Sequence, residues 1–549
     1  MTYQSLAVEV FLLSKKSFVK GAAVLAVAGI IAKLFGALFR IPLINIIGTE
    51  GIGLYQLAYP IYSFLLIVST AGIPTAISKL VAEKIALKNH REAHRVFVIS
   101  VKLMLAIGIT IFIIFSVGSR MVARILGSER AFYSILAISP CLVFVSLLSA
   151  FRGYFQGMQN MVPTALTQIL EQVGKLALGL FFASLFISKG PEYGAAAAVA
   201  GVTLSEAGAL VTIILIYRKK RRQIMAQIKS SPRASYRESD RSILERLLKI
   251  AFPVTIGSAI MPLVGVADAV IVVNRLKQIG IEQAKAESLY GILTGNANPL
   301  INFPAVLTIA LAMSLVPAIT ESFSARDLGG MRKKTSTGIR LTLLIGIPAA
   351  AGMAVLAEPI CALLYKRISA EDIKTAAELL TILSIGVVFL SLVQTLTAIL
   401  QGLNKITVPV KNLAIGAMTK IILTYALVGN SSLNVKGAAI ATVVCYGIAA
   451  SLDFIAVIRY SGISIPLMDF FIKPLIGAGL MSLTVYLGYH YLLPILGTSI
   501  STLLSVLVGI VVYSLLLLLT GAVKKGDFEL LPAGKRISSL LVKLKLLKD

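Results

Sequence analysis

The chain has 549 residues, of which 57% are hydrophobic and 14% are charged, and its net charge is +27. Soluble domains are roughly 45–50% apolar and about 25% charged. The composition therefore excludes a water-soluble catalytic domain, a DNA-binding protein and a secreted disulfide scaffold. The cysteines Cys141, Cys361 and Cys445 form no Cys-x-x-Cys pair and indicate no thiolate metal site. We predict an all-α polytopic membrane protein.

Fourteen apolar segments of membrane-spanning length follow one another along the chain. The first, residues 20–47, begins at the last of three lysines (Lys15, Lys16 and Lys20). No small-residue cleavage site follows, so we interpret it as a retained span and not as a signal peptide. The other predicted spans are residues 54–78, 96–118, 131–152, 164–188, 194–217, 248–275, 290–321, 338–358, 375–400, 410–428, 437–457, 467–491 and 498–520.

Two pairs of similar segments indicate an internal repeat. Residues 154–163 (YFQGMQNMVP) are similar to residues 399–409 (ILQGLNKITVP), and residues 72–78 (GIPTAIS) to residues 315–320 (LVPAIT). Six spans per half predict two parallel repeats with a substrate site between them. The predicted segments are an N-terminus (1–19), an N-lobe (20–217), a basic linker (218–247), a C-lobe (248–457), a final helix pair (467–520) and a C-terminal tail (521–549).

The distribution of lysine and arginine predicts the orientation of the chain. With a cytoplasmic N-terminus, the inside segments carry about three times as many Lys and Arg residues as the outside segments. We therefore expect the N-terminus, the linker and the C-terminal tail in the cytoplasm, and residues 359–374 outside. The basic linker either contacts anionic lipids or serves only to fix this topology.

The first predicted span contains two cations, Lys33 and Arg40, which are seven residues apart and share one helix face. Gly36 lies between them and would let a large group approach. A cation at membrane depth costs about 2.5–3.5 kcal/mol. We predict that Lys33, Gly36 and Arg40 line an anion-binding stripe in a wet cavity. The alternative is that both cations reach the interfaces or pair with acids on other helices.

Three acids also lie inside predicted spans. Asp268 shares its span with two prolines, and this combination is typical of either a Na⁺ or H⁺ site or a charge partner for a nearby base. Glu171 has Lys175 four residues later, which predicts a local ion pair. Glu206 is the third acid. Because no catalytic or metal-binding motif occurs, we expect a transporter without a metal cofactor and not an enzyme.

The sequence resembles the polysaccharide-biosynthesis flippases, in particular the group of MurJ-type lipid II flippases and stage V sporulation protein B. This group belongs to the superfamily that also holds the multidrug and toxin extrusion transporters. The resemblance extends over roughly residues 20–460. The segments that carry it are LFGALFRIPL, IIGTEGIGLYQLAYP, GIPTAISKLVAE, FRGYFQGMQNMVPTA and LINFPAVLTIALAMSLVPAITE.

The resemblance implies an inverted V of 14 helices around a central cationic cavity, in a bacterial plasma membrane. It implies that an undecaprenyl-diphosphate-linked precursor moves from the inner to the outer leaflet by alternating access, with cell-wall synthases as partners. Lys33 and Arg40 occupy the region that holds the diphosphate in family members. Asp268 and Asn412 correspond to ion-coupling positions for Na⁺ or H⁺, whereas Gly416 stands where a second carboxylate would be.

Four other functions stay open at this stage. They are a cation-coupled multidrug antiporter, an exporter of another lipid-linked polysaccharide unit, a scaffold of division or sporulation machinery, and a membrane glycosyltransferase. Antiporters of cationic drugs need acids in the cavity, and Lys33 and Arg40 argue against that function. A glycosyltransferase would need a carboxylate-rich outer loop, whereas the predicted outer loops are short.

Overall fold

The computed structural model describes the backbone of residues 3–231, 238–464 and 466–521. In the first helix it describes side chains from residue 24 onward, except those of residues 26, 30, 33, 34 and 37. These described residues form helices and short connections, without a β-strand. The all-α prediction is therefore confirmed.

The α-helices are defined as follows. The first nine are α1 (Tyr3–Thr70), α2 (Ile73–Ala86), α3 (His90–Val117), α4 (Ser119–Ile125), α5 (Phe132–Ile138), α6 (Cys141–Gly157), α7 (Val162–Phe186), α8 (Pro191–Ser230) and α9 (Asp240–Gln278). The others are α10 (Gln283–Gly291), α11 (Asn298–Ser324), α12 (Leu328–Val355), α13 (Ala357–Leu364), α14 (Ala370–Gly402), α15 (Thr407–Val428), α16 (Val435–Ser461) and α17 (Lys473–Leu519).

Twelve helical segments of the described chain are long and apolar enough to cross a membrane. Two long helices each contain one glycine with a non-helical backbone: Gly48 in α1, with φ 71°, and Gly497 in α17, with φ 70°. Glycine adopts positive φ at little cost. These glycines fall between the first and second, and between the last two, predicted spans. The total of 14 spans stays a prediction.

The chain divides into two compact units. The first consists of Met1–Asn274 and Gln283–Gly291, and the second of Arg275–Glu282 and Ile292–Asp549. Most of α9 thus belongs to the first unit, whereas the sequence repeat assigns its span to the C-lobe. Because compactness does not test a repeat, the predicted lobes stay a prediction.

The two repeated turns adopt the same local structure. Gln159, after α6, and Asn404, after α14, have φ angles of 56° and 60°. The glycines that precede them pack closely on a neighbouring helix: a Cβ on Gly157 would lie 2.7 Å from Val81 of α2, and one on Gly402 would lie 2.9 Å from Ile319 of α11. The similar segments therefore form similar turns, each within its own unit.

In the first unit, the backbones of the α2 N-terminus and α9 are in direct contact. A Cβ on Gly72 would lie 2.1 Å from the backbone oxygen of Ala251. Gly72 has an ordinary φ of −86°, so the absence of a side chain is required for space and not for conformation. This contact helps to explain why α9 packs with the first unit.

We expect Gly72→Ala to destabilise the protein by about 1–3 kcal/mol, the usual cost of overpacking. Gly257→Ala, on α9, is the matched control, because a Cβ there would meet no atom within 4 Å. The midpoint of thermal unfolding of the detergent-solubilised protein should fall for the first variant alone. Equal midpoints for the two variants would contradict the close contact.

Ion pairs hold the beginning of α9 against α2. The Glu238 carboxylate, just before α9, accepts a hydrogen bond from Lys84 at 2.8 Å, and its other oxygen accepts one from Ser242 at 2.9 Å. Arg246 lies 3.3 Å from Glu238 and 2.8 Å from Glu83. Burial raises the pKa of Glu238, but these bonds outweigh burial, and the net pKa lies below its ordinary value of 4.5.

The lowered pKa predicts a pH-dependent contribution to stability. A carboxyl group whose pKa is lower in the folded state stabilises the fold above its unfolded-state pKa, and this contribution disappears as the pH falls through the folded-state pKa. We expect Glu238→Gln to lower the unfolding midpoint near neutral pH, at a cost of about 1–3 kcal/mol. The difference from the parent should shrink below pH 4.5.

Glu245→Gln is the control for this pH series, because Glu245 is exposed and its one ion pair among the described residues is with exposed Arg241. The control should follow the parent at every pH. A midpoint difference between Glu238→Gln and the parent that stays constant down to about pH 3 would disprove the role of the charge.

Candidate functional site

The predicted cationic residues lie on α1, where it packs against α7. The side chain of Lys33 is outside the described part of the structure. Gly36 faces Gln172 of α7, since a Cβ on Gly36 would lie 3.3 Å from the Gln172 Oε1 atom. Arg40 is half-buried and interacts electrostatically with Lys175 of α7. The structure therefore brings a second helix, and a further cation, to the predicted stripe.

Lys175 is stabilised by aromatic rings. Its ammonium group lies 4.9 Å from the ring centre of Phe39 and 5.1 Å from that of Tyr59. Among the residues that the structure describes, Lys175 forms no salt bridge. The ammonium also bonds the Tyr55 hydroxyl. None of these partners is an acid, so they leave the positive charge of Lys175 without an opposite charge. We call Arg40 and Lys175, with Gly36 and Gln172 beside them, the cationic site.

The structure corrects the expected Glu171–Lys175 pair. Glu171 instead accepts a hydrogen bond from Arg152 of α6. The same guanidinium donates to the Thr167 hydroxyl at 2.9 and 3.1 Å. A guanidinium offers several donors in a planar fork, whereas an ammonium is a point charge. Arg152 is therefore the better partner for a buried carboxylate, and Lys175 remains available.

Small residues on α7 and α8 bring the two helices together. A Cβ on Gly201 would lie 2.5 Å from the backbone of Gly179, and one on Gly174 would lie 2.4 Å from the Ser205 hydroxyl. Ser205 donates a hydrogen bond of 2.6 Å to the backbone oxygen of Glu171. Small residues commonly allow such close helix contacts in membrane proteins. The contact places Glu206 of α8 beside Glu171.

The two ion-coupling residues lie in different units. Asp268 belongs to the first unit, where it interacts with the buried Tyr290. Asn412 belongs to the second unit and donates a hydrogen bond of 2.8 Å to Asp453 of α16, whose side chain is buried. The sequence analysis did not single out Asp453. The ion-coupling role of Asp268 and Asn412 stays a prediction.

An apolar cavity of about 530 Å³ lies in the second unit, among α11, α12, α13 and α17. Phe303, Pro348 and Met481 are among its lining side chains. Its polar side chains are Ser505, Tyr513 and Ser514. Both halves of α17, before and after Gly497, contribute to the lining. We call this cavity the apolar groove.

Sequence reasoning missed Lys175 and Arg152 as site residues. Glu171 and Lys175 are four residues apart, and this spacing on a helix predicted an ion pair between them. Arg152 lies near the end of a predicted span and looked like a charge that fixes topology. In the structure it lies inside α6, with its side chain 16% exposed. A signal for Arg152 was present in the sequence. Glu171 and Glu206 are two acids inside predicted spans, and Lys175 alone cannot balance both charges.

Comparisons with known proteins show a fold of membrane transporters. A solved structure of the lipid II flippase MurJ in an inward closed conformation superposes with a TM-score of 0.70, at 17% identity, over 90% of this chain and 97% of that one. At this identity the likeness shows the fold alone. The helical architecture therefore defines the fold class: an all-helical, multi-pass membrane protein with the fold of that flippase.

Sequence comparisons then define the family. The pattern of the polysaccharide biosynthesis protein family matches residues 18–323, and that of the MatE family matches residues 294–426. Stage V sporulation protein B of Bacillus subtilis is 29% identical over 83% of this chain and 87% of its own. The lipid II flippase MurJ of the same organism is 28% identical over 81% and 83%. The chain belongs to the polysaccharide biosynthesis protein family, as the sequence resemblance predicted.

Proposed function

We propose that the chain moves an undecaprenyl-diphosphate-linked cell-wall precursor from the inner to the outer leaflet of the plasma membrane by alternating access. The observation that carries the proposal is the cationic site: Lys175, which has no salt bridge among the described residues, lies close to Arg40 on facing helices. Two neighbouring cations repel each other and are costly at membrane depth. A diphosphate would neutralise them.

The composition of the cationic site supports a diphosphate ligand. Arg40 can offer two parallel donors to phosphate oxygens, and Lys175 adds a point charge. Gln172 supplies an amide beside Gly36. Lys33 is proposed as a third cation because it lies two helical turns before Arg40 in the sequence.

The apolar groove supports a lipid-linked ligand. An undecaprenyl tail is a long apolar chain, and the groove offers about 530 Å³ of space with few polar side chains. Both halves of α17 line this groove, so these helices would supply part of the surface for the tail. The relatives named as lipid II flippases make lipid II the first substrate to test.

Substitution of the cations should strongly decrease transport. Loss of one charge-assisted contact costs about 1.5–3 kcal/mol, which corresponds to a decrease of roughly ten- to hundredfold. We expect this decrease for Arg40→Ala, Lys175→Ala and Lys33→Ala. The measurement is the amount of lipid II exposed at the outer face of cells that are depleted of their own flippase and that express each variant.

Lys189→Ala is the matched control, because Lys189 also lies over an aromatic ring, 5.0 Å from the centre of Phe186, but is exposed at a helix end. It should transport at the parental rate. Parental rates for both Arg40→Ala and Lys175→Ala would refute the diphosphate site.

A cation-coupled multidrug antiporter is the second candidate, because the MatE pattern matches residues 294–426. The same variants separate the two functions. In an antiporter of cationic drugs, removal of positive charge from the cationic site should be harmless or should improve drug export. In the flippase, it should stop transport.

We further propose Asp268 and Asn412 as coupling residues for Na⁺ or H⁺, and cell-wall synthases as partners that use the exported precursor. The motivation is that each residue forms part of a pair that contains a carboxyl group. Asp268 interacts with buried Tyr290, and Asn412 donates a hydrogen bond to Asp453. Asp268→Asn should make transport insensitive to the coupling gradient. A variant that responds to both gradients as the parent does would exclude Asp268.

The Lys and Arg distribution supports cytoplasmic termini and a cytoplasmic linker. Exposed positions at the two faces provide a test: Ser230 at the end of α8 and Ala370 at the start of α14. In a background without native cysteines, an impermeant thiol reagent should label a cysteine at 370 in intact cells, and one at 230 only after permeabilisation. Labelling at 230 in intact cells would reverse the proposed orientation.

A further inference from the structure

A polar cavity of about 330 Å³ lies in the first unit, among α1, α2, α6, α7 and α8. Its polar lining includes Arg152 and Gln156 of α6, Gln168 and Glu171 of α7, and Glu206 of α8. We call it the Glu206 cavity. In its lining the acids outnumber the bases, because the single guanidinium of Arg152 faces the two carboxyl groups.

The guanidinium is committed to one of these carboxyl groups. Arg152 donates to Glu171 and to the Thr167 hydroxyl. Glu206 forms no salt bridge within the described chain, and its Oε2 atom is buried without a hydrogen-bond partner there. The Gln168 Oε1 atom is likewise buried without a donor. A proton on the Glu206 carboxyl group would turn one of its oxygens into a donor toward a neighbouring acceptor.

The other titratable and charged groups around Glu206 do not neutralise it. Tyr62 of α1 and Cys141 of α6 interact with it, but their hydroxyl and thiol bond each other at 3.1 Å. Lys175 of α7 interacts with Glu206 more weakly than Arg152 does. An ionised carboxylate buried without a partner costs several kcal/mol. The carboxyl groups of Glu171 and Glu206 are close enough to bond through a shared proton.

We propose that Glu206 and Glu171 share one exchangeable proton in the Glu206 cavity, and that binding of a diphosphate at the cationic site favours uptake of this proton. The second half of the inference rests on the proposed function. The link is α7, where Glu171 and Lys175 lie four residues apart, or about 6 Å along the helix. Loss of the proton adds a negative charge beside Lys175 and weakens anion binding. By reciprocity, anion binding strengthens proton binding.

Infrared difference spectroscopy tests the shared proton without any substrate. We would compare the full-length parent in lipid nanodiscs with Glu206→Gln, which keeps the shape but removes the acid. Near neutral pH the parent should show the absorption of a protonated carboxyl group, and this band should be absent from Glu206→Gln. The exposed-site control Glu245→Gln should retain the band. If Glu206→Gln retains the band of the parent, the shared proton is overturned.

Glu206→Asp covers the case in which Glu206→Gln does not fold. It keeps an acid but changes its distance from Glu171, so the protonated-carboxyl band should persist at a shifted frequency. An unshifted band in this variant would also overturn the proposal, because the proton would then lie elsewhere.

Binding of inorganic pyrophosphate tests the coupling. Between about pH 6 and pH 8, the affinity of the parent should fall about tenfold more than that of Glu206→Gln, a typical coupling between two sites. The ratio cancels the titration of pyrophosphate itself. An equal fall in both proteins would overturn the coupling. If neither protein binds pyrophosphate, the anion site of the proposed function fails, and the infrared band still decides the shared proton.

Discussion

The close contact between α7 and α8 is the constraint on which the first unit depends. Gly179 and Gly201 bring the two backbones together, and Ser205 bonds the backbone of Glu171 across the contact. Larger residues at these glycines would separate the helices. Because α7 also packs on α1, its position places Lys175 beside Arg40 and, one helical turn earlier, Glu171 beside Glu206. One packing contact therefore sets the geometry of two charged groups.

The charges on α7 show how the chain separates two residues that would otherwise neutralise each other. Glu171 and Lys175 have the spacing of a helical ion pair. Arg152, however, provides a planar fork of donors for Glu171, and the Thr167 hydroxyl helps to hold that fork in place. Lys175 is then stabilised by aromatic rings, which attract a cation without carrying a net negative charge. The ammonium keeps much of its capacity to bind an anion.

Much of the fold could be predicted from the sequence, because the length of an apolar segment and the residue types of a turn depend on consecutive residues. The turns at Gln159 and Asn404 follow from similar Gln-Gly segments, and both adopt the positive φ that such turns need. Glycines between predicted spans also marked the helix breaks at Gly48 and Gly497. These features depend on near neighbours in the chain and require no knowledge of tertiary packing.

The candidate site was harder to predict because its pairings join distant residues. Arg40 could be found from its cost in an apolar segment, but its neighbour Lys175 is 135 residues away in sequence. The pairing of Arg152 with Glu171 becomes visible only when α6 and α7 are packed together. The periodicity of a single helix suggested a local pair for Glu171. Tertiary packing offered a stronger donor set, and the local rule failed for that reason.

The proposed function gives the cationic site and the apolar groove different tasks, one for the diphosphate and one for the tail of a lipid-linked substrate. The tail is already surrounded by apolar lipid, so its transfer into the apolar groove gains little from the hydrophobic effect and depends mainly on packing. The diphosphate, in contrast, must leave water and requires cations to compensate for lost hydration. The free energy that selects the substrate therefore has to come mostly from the cationic site. The groove needs only to admit a tail, which is consistent with its lining of flexible side chains such as Met353 and Met481.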